Sequence, residues 1–453
     1  MKTPSLPPAR SRRRFLKDAA LASGAALGFP AIVRSQSLNS RLRVAAVGVG
    51  GFGYRTFTEI AKHPKVDLAA LCDVDARSLE RAAGEFSEAS THRDWRALLT
   101  DSGGDFDAVA VATPDHMHAS VGLTAIRAGK HVYIQKPLAS TVHECRVLAR
   151  EAASAGIVSQ LGNQKRSSAE SRATVELLRS GAVGKIKEIV IWENKALNWW
   201  PKNTTLRPGG DPVPGTLEWD LWLGVREPRP YHEDTYHPMT WRAWFDFGVG
   251  ELGDMGCHHF DESVDGLSLA APSRVRQTTP GSSGPLWAER REVELVFPGN
   301  ELTAGDELTL TWYDGDLRPD PARLRLPGSV EEVPESGTCW IGEKGAIYKN
   351  FRTGMPVLLP EADFPAEAYP EGISGGNHYH DWVDSVFEGR AAASDFSHGG
   401  HLSEIVLVGS YADRFSGEWL EWDSETLRFK NREEANALVR RDYREGWKIE
   451  GLG

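Results

Sequence analysis

The sequence predicts an α/β chain of two domains: a doubly wound parallel sheet first, then an α+β domain with a large, mostly antiparallel open sheet. Three observations predict it. An apolar run ending in spaced glycines opens the folded part, strand and helix patterns alternate as far as residue 162, and beyond it loops and period-two strands take over. At 453 residues the chain also exceeds what a single hydrophobic core usually organises. A formal charge of -11 argues against nucleic acid or an anionic membrane as the partner, since both reward clustered Lys and Arg.

The first 36 residues read as a leader rather than as part of the fold. Ser11-Arg12-Arg13-Arg14-Phe15-Leu16-Lys17 sets paired arginines before a weakly apolar run, 19–33, that is too short for a stable membrane span. This pattern matches a twin-arginine export signal, so the expectation is a periplasmic or otherwise exported protein. Cys72, Cys145, Cys257 and Cys339 are far apart and form no C-x-x-C, which fits buried thiols better than a disulfide framework.

The first domain is expected over 41–162. Residues 41–47 form a short apolar run, and Gly48-Val49-Gly50-Gly51-Phe52-Gly53 follows at once, ahead of a helical segment ending before Pro64. Gly48 suits the tight turn, Gly50 lets the backbone approach a pyrophosphate, and Gly53 allows close helix–strand packing. Gly51 and Phe52 lie within the same turn. A second strand, 66–72, ends at Asp73, twenty residues after Gly53, where a ribose-binding acid belongs. A carboxylate there favours NAD over NADP, because it repels a 2'-phosphate; Arg77 complicates that preference. Asp75 either shares the role or starts the next helix.

Residues 106–113 read as a buried strand, and Pro114-Asp115-His116-Met117-His118 opens a helix reaching Ala128. Gly129 caps that helix and 131–134 is the next strand. Ligands of such sheets sit at the carboxyl ends of the strands, so Thr113, Pro114 and the Gln135-Lys136-Pro137 turn are expected to face the cofactor. His116 and His118 lie close enough to join the cofactor set, with capping or packing in the first helical turn as their plainer role. A cation at Lys136 can orient a substrate hydroxyl and stabilise a developing alkoxide.

Ala112-Thr113-Pro114-Asp115-His116-Met117-His118, followed some twenty residues later by Gln135-Lys136-Pro137-Leu138, resembles the Gfo/Idh/MocA family of sugar and inositol dehydrogenases. The resemblance runs from about Arg41 to the C-terminus. It implies a Rossmann domain, a nicotinamide cofactor and an active-site role for Lys136 beside the nicotinamide ring. The family usually has Glu where this chain has Gln135. That departure removes a carboxylate that could hold Lys136 charged.

The second domain is expected over 163–453. A helix over 171–179 and a strand over 185–193 precede a long irregular stretch that carries Trp199, Trp200, Trp219, Trp222, Trp241 and Trp244. Loops of that length are usually functional. Tryptophan faces stack on the apolar faces of sugar or cyclitol rings, so Trp200 and Trp241 are candidates for the substrate wall.

The segment Gly248-Val249-Gly250-Glu251-Leu252-Gly253-Asp254-Met255-Gly256-Cys257-His258-His259 follows. Asp254 and His258 are four apart and so share a helix face. An imidazole near neutral pKa can take a hydroxyl proton as hydride departs, and a carboxylate one turn away can bind substrate hydroxyls. The family's catalytic Asp and His have this D-x-x-x-H spacing, so the resemblance assigns catalysis to Asp254 and His258 with Lys136. His259 and His378 are secondary candidates for substrate contact. The cluster lacks the H-x-x-x-H spacing of a zinc site, so no metal is expected. Alternating runs at 292–297 and 308–312 supply strands of the open sheet, which the family uses partly for contacts between subunits. A homodimer or homotetramer is therefore expected.

The function these readings imply is hydride transfer between a sugar or cyclic polyol hydroxyl and a tightly bound NAD. The alternative is glycoside cleavage through transient oxidation, with NAD returning unchanged. Export favours either a bound, recycled cofactor or a redox-neutral cycle, since free NAD is scarce outside the cytoplasm.

Overall fold

The structure is a computed structural model that describes residues 41–101, 105–194, 206, 209–324, 326–328, 330, 332–352 and 354–453. The leader over 1–36 and Trp199 and Trp200 lie outside the described residues. Residues 40–453 pack as one compact unit.

The first layer is a six-stranded parallel sheet. Its strands are β1 Leu42–Val47, β2 Val66–Cys72, β3 Ser90–His92, β4 Ala108–Val111, β5 His131–Gln135 and β6 Ser159–Gly162, in the order β3-β2-β1-β4-β5-β6. All five pairings are parallel. The order reverses between β1 and β4, so a crevice opens at the carboxyl ends of these two strands. The helices that flank the crevice are α1 Gly51–Ala61, α2 Ala76–Glu85, α3 His118–Arg127 and α4 Val142–Ala155. A capping box starts α4: Thr141 accepts from the Glu144 amide, and Glu144 accepts from the Thr141 amide.

The second sheet has nine strands: β7 Ile186–Trp192, β8 Arg274–Gln277, β9 Glu292–Pro298, β10 Glu307–Tyr313, β11 Gly337–Gly342, β12 Ala346–Asn350, β13 Val357–Leu359, β14 Leu420–Asp423 and β15 Arg428–Phe429. Their order is β13-β12-β11-β7-β10-β9-β8-β14-β15. Only the β7–β10 pair is parallel, so the sheet is mostly antiparallel, as the alternating runs predict. The longer helices of this half are α5 Ala169–Arg179, α6 Gly250–Gly266, α7 His378–Glu388 and α8 Phe396–Tyr411. α8 is buried nearly all round, and Leu402, Ile405, Val406, Leu407 and Val408 all lie in the core.

The two sheets share one hydrophobic core. It runs from Val109 and Ile134 of the parallel sheet through Leu252 and Phe260 of α6 to Leu295 and Trp312 of the large sheet. α7 returns to the first layer, where Tyr379, Trp382 and Val383 pack on Leu42, Val44 and Tyr133. Among the described residues, no helix is long and apolar enough to cross a membrane.

Trp382 is fully buried, and its ring meets Tyr133 edge-on at 5.6 Å. Trp382→Ala should therefore cost about 3–5 kcal/mol in equilibrium denaturation. A loss below about 1 kcal/mol would mean that α7 is not needed to cover this face of the sheet.

Candidate active site

The glycine turn is built for close approach. Gly48 has φ +83°, and a Cβ there would lie 2.6 Å from the Ala112 carbonyl oxygen; a Cβ on Gly53 would lie 2.0 Å from the Gly48 carbonyl oxygen. A Cβ on Gly50 would press on Ser78 Oγ at 2.8 Å, whereas Gly51 faces open space and Phe52 is exposed. Gly50 caps α1 without a side chain, so the first amides of the helix are available to a phosphate.

Asp73 follows β2 as expected. Its Oδ2 accepts from the amides of Val49 at 2.8 Å and Gly50 at 3.0 Å, and its Oδ1 accepts from Asp75 N at 2.9 Å. Burial pushes this carboxyl up, and the amide donors oppose that shift. Asp73 thus braces the glycine turn at the place where the adenosine ribose sits in such folds. Asp75 takes the other role open to it. It caps α2 through the Arg77 amide and pairs with the Arg77 guanidinium at 2.9 Å, with almost no exposure. The turn, its bare helix start and this acid together fit a dinucleotide.

At the far end of the crevice, Lys136 leaves the end of β5 and reaches α6. Its Nζ donates to Asp254 Oδ1 at 2.7 Å and to the Asp254 carbonyl at 3.1 Å. His258 stands one turn along the same helix, with its ring 6.2 Å from that of Phe351. The structure therefore joins Lys136 to Asp254, and the helix sets His258 one turn from that pair.

Residues 42–163 match the family model for the NAD-binding Rossmann fold of Gfo/Idh/MocA oxidoreductases, and residues 168–270 and 320–449 match the model for that family's C-terminal alpha/beta domain. The chain belongs to the Gfo/Idh/MocA oxidoreductase family. A levoglucosan dehydrogenase from Pseudarthrobacter phenanthrenivorans is 34% identical over 182 residues, which cover 40% of this chain and 37% of that protein. A glycosyl hydrolase family 109 protein from a Shewanella species is 30% identical over 113 residues, covering 23% of this chain and 24% of its own. Each alignment therefore spans less than half of the relative's length. GenD2 from gentamicin A biosynthesis, solved with NAD, superposes with a TM-score of 0.60 over 86% of this chain and 98% of its own. At 20% identity, that likeness speaks to the fold alone.

Within this Gfo/Idh/MocA fold, Gln135 turns away from Lys136. Its amide donates to Thr56 Oγ1 at 2.8 Å and accepts from Gln164 at 3.3 Å. The carboxylate beside Lys136 comes instead from Asp254, so the change from Glu to Gln leaves Lys136 with an acidic partner. Thr113 and Pro114 lie at the end of β4 as expected. His118 ties the two strand ends together, with Nδ1 2.8 Å from the Pro137 carbonyl and Nε2 2.9 Å from that of Thr113. Burial lowers its pKa to about 4, while the two carbonyls favour the protonated ring. His116 is packed between Trp222 and Phe247 with Nε2 3.1 Å from the Trp222 carbonyl, and burial takes its pKa down to about 3. Both histidines hold the walls of the crevice.

The substrate-side candidates disperse. His259 is buried, stacks on Phe351 at 4.1 Å and sits 3.1 Å from Glu193 Oε2. Both nitrogens of His378 are engaged, Nδ1 with Ser167 Oγ and Nε2 with the Leu161 carbonyl, each at 2.8 Å. Burial lowers its pKa to about 4, and its contacts tie α7 to the end of β6. Trp241 is buried in an aromatic cluster with Trp222, Tyr236, Trp244 and Phe247. Its ring instead supports the Arg242 guanidinium, 4.3 Å above it.

Two charged groups at the site escaped the sequence reading. Arg242 Nε lies 3.6 Å from Asp254 Oδ1, so that oxygen is bracketed by two cations. Asp115, read as a helix start, is buried in the field of Asp254, Arg242 and Lys136. Burial, followed by the charge of Asp254, pushes its carboxyl up to about 8. An acid whose folded pKa exceeds its unfolded value costs stability as pH rises between the two. Asp115→Asn should therefore gain in Tm on the wild type as pH rises from about 4 to about 8, with no gap at the acid end. Parallel melting curves over that range would contradict the buried, proton-holding Asp115.

Proposed function

We propose that this protein transfers hydride between a carbon-bound hydroxyl of a sugar or cyclic polyol and a nicotinamide cofactor, with Lys136, Asp254 and His258 as its reacting side chains. The observation that carries the proposal is the largely buried Lys136–Asp254 ion pair, with His258 one turn away. When bound, NAD accepts the hydride that leaves the substrate carbon. His258 takes the hydroxyl proton, so an alcohol becomes a ketone and one proton is released to the imidazole. Lys136 donates to the substrate oxygen as negative charge develops on it. Asp254 holds Lys136 in place and offers its carboxylate to neighbouring hydroxyls. The family match and the levoglucosan dehydrogenase relative support a polyol substrate.

NAD is the preferred cofactor in this reading, because Asp73 sets a carboxylate where NADP would carry a 2'-phosphate. Export by the twin-arginine route, as a folded homo-oligomer with its cofactor tightly bound, completes the reading. That route carries folded proteins. A second reading, glycoside cleavage through transient oxidation, is favoured by the glycosyl hydrolase family 109 relative and by the scarcity of free NAD outside the cytoplasm.

One assay separates the two readings. Purified, undialysed protein is examined for bound nucleotide, then incubated with sugars and glycosides while absorbance near 340 nm and released products are followed. Reduced cofactor accumulating with a ketosugar supports net oxidation; aglycone release without reduced cofactor supports cleavage. Under either reading, Lys136→Met should retain its nucleotide and lose roughly 10²–10³-fold in turnover. Unchanged turnover would remove Lys136 from the chemistry.

A further inference from the structure

Residues 209–247 depart from the strand–helix alternation, and part of their path is set by the carboxyl end of β2. Leu217 forms an antiparallel bridge with Asp75. On either side of it, Glu218 N donates to the Val74 carbonyl at 3.0 Å, and Ala76 N donates to the Thr216 carbonyl at 2.9 Å. Arg93 Nη2 clamps this junction, donating to the Val74 carbonyl at 2.6 Å and to the Thr216 carbonyl at 2.8 Å. Val74 itself packs against the aromatic cluster of Leu217, Trp222 and Tyr236. Further along, His237 Nε2 comes within 3.2 Å of Asp75 Oδ2, and its ring lies 6.2 Å from that of Trp222.

Among the described contacts, this junction makes none directly with Lys136, Asp254 or His258. It surrounds the turn after β2, where a dinucleotide places its adenosine ribose. We infer that residues 216–218 and His237 form the outer wall of the adenosine subsite, so that the excursion grips the half of NAD that takes no part in the chemistry. In this arrangement Asp73 meets one side of the ribose, and the imidazole of His237 supplies a hydrogen-bonding ring on the other. Release of the cofactor then requires the Thr216–Glu218 stitch to open, which makes the excursion the element that sets how long NAD stays bound. The inference rests on the reading of the glycine turn as an NAD site.

The test uses the full chain, freed of nucleotide, with two probes that divide the cofactor: ADP-ribose, which carries adenosine, and nicotinamide mononucleotide, which does not. By titration calorimetry, His237→Ala should weaken ADP-ribose about tenfold and change nicotinamide mononucleotide by less than about twofold. Arg93→Gln, which loosens the stitch without touching His237, should speed NAD release from the loaded protein by a similar factor. Unchanged ADP-ribose affinity in His237→Ala, or an equal loss for both probes, would overturn the inference. So would unchanged NAD release in Arg93→Gln. No sugar enters these measurements, so their failure leaves hydride transfer standing, and the absence of sugar oxidation would leave this result intact.

Discussion

The contact between Lys136 and Asp254 joins the two halves of this molecule at the candidate site. Lys136 belongs to the end of a parallel strand and Asp254 to a helix lying under a different sheet, 118 residues away in the chain. Their side chains are only 12% and 5% exposed, so both charges are largely out of water. Such a pair gains little net stability, because desolvation offsets most of the attraction, yet removing one partner leaves a stranded charge. It persists because the surroundings hold it. The shared core fixes α6 against the parallel sheet, His118 ties the ends of β4 and β5, and Arg242 gives Asp254 a second cation. With Asp115 held by burial in its neutral form near pH 7, the two cations outnumber the Asp254 carboxylate at this end of the crevice.

Much of this was legible in the chain because it depends on local rules. The glycines declared a turn that only glycine can make, as the contacts of Gly48 and Gly53 bear out. The apolar run before Asp73 announced a strand end, and four-residue spacing placed Asp254 and His258 on one helical face. That the first sheet is parallel followed from the alternation of strands with helices.

What escaped depends on contacts between distant segments. Nothing local to Asp115 distinguishes a helix-starting acid from one buried beside Asp254, since the difference lies in packing supplied from beyond residue 240. Arg242 sits between two tryptophans, and its partner is twelve residues away across a helix start. The tryptophans themselves illustrate the limit: Trp241 carries the right chemistry for a sugar face, but the excursion buries it to build its own small core. The rings of His259 and His378 are engaged by buried partners for a related reason. Adjacent positions on a helix point about 100° apart, and a buried imidazole finds partners in the packing behind the site.

A double-mutant cycle on Lys136→Met and Asp254→Asn, read as the single-turnover rate of reduction of bound NAD by the best substrate from a polyol panel, tests this account most directly. If the pair acts as one unit, either change alone should remove most of the rate and the second should add little, leaving a coupling of about 1–3 kcal/mol. Losses that simply add would contradict the account, because the two residues would then serve the reaction independently and their contact would be incidental.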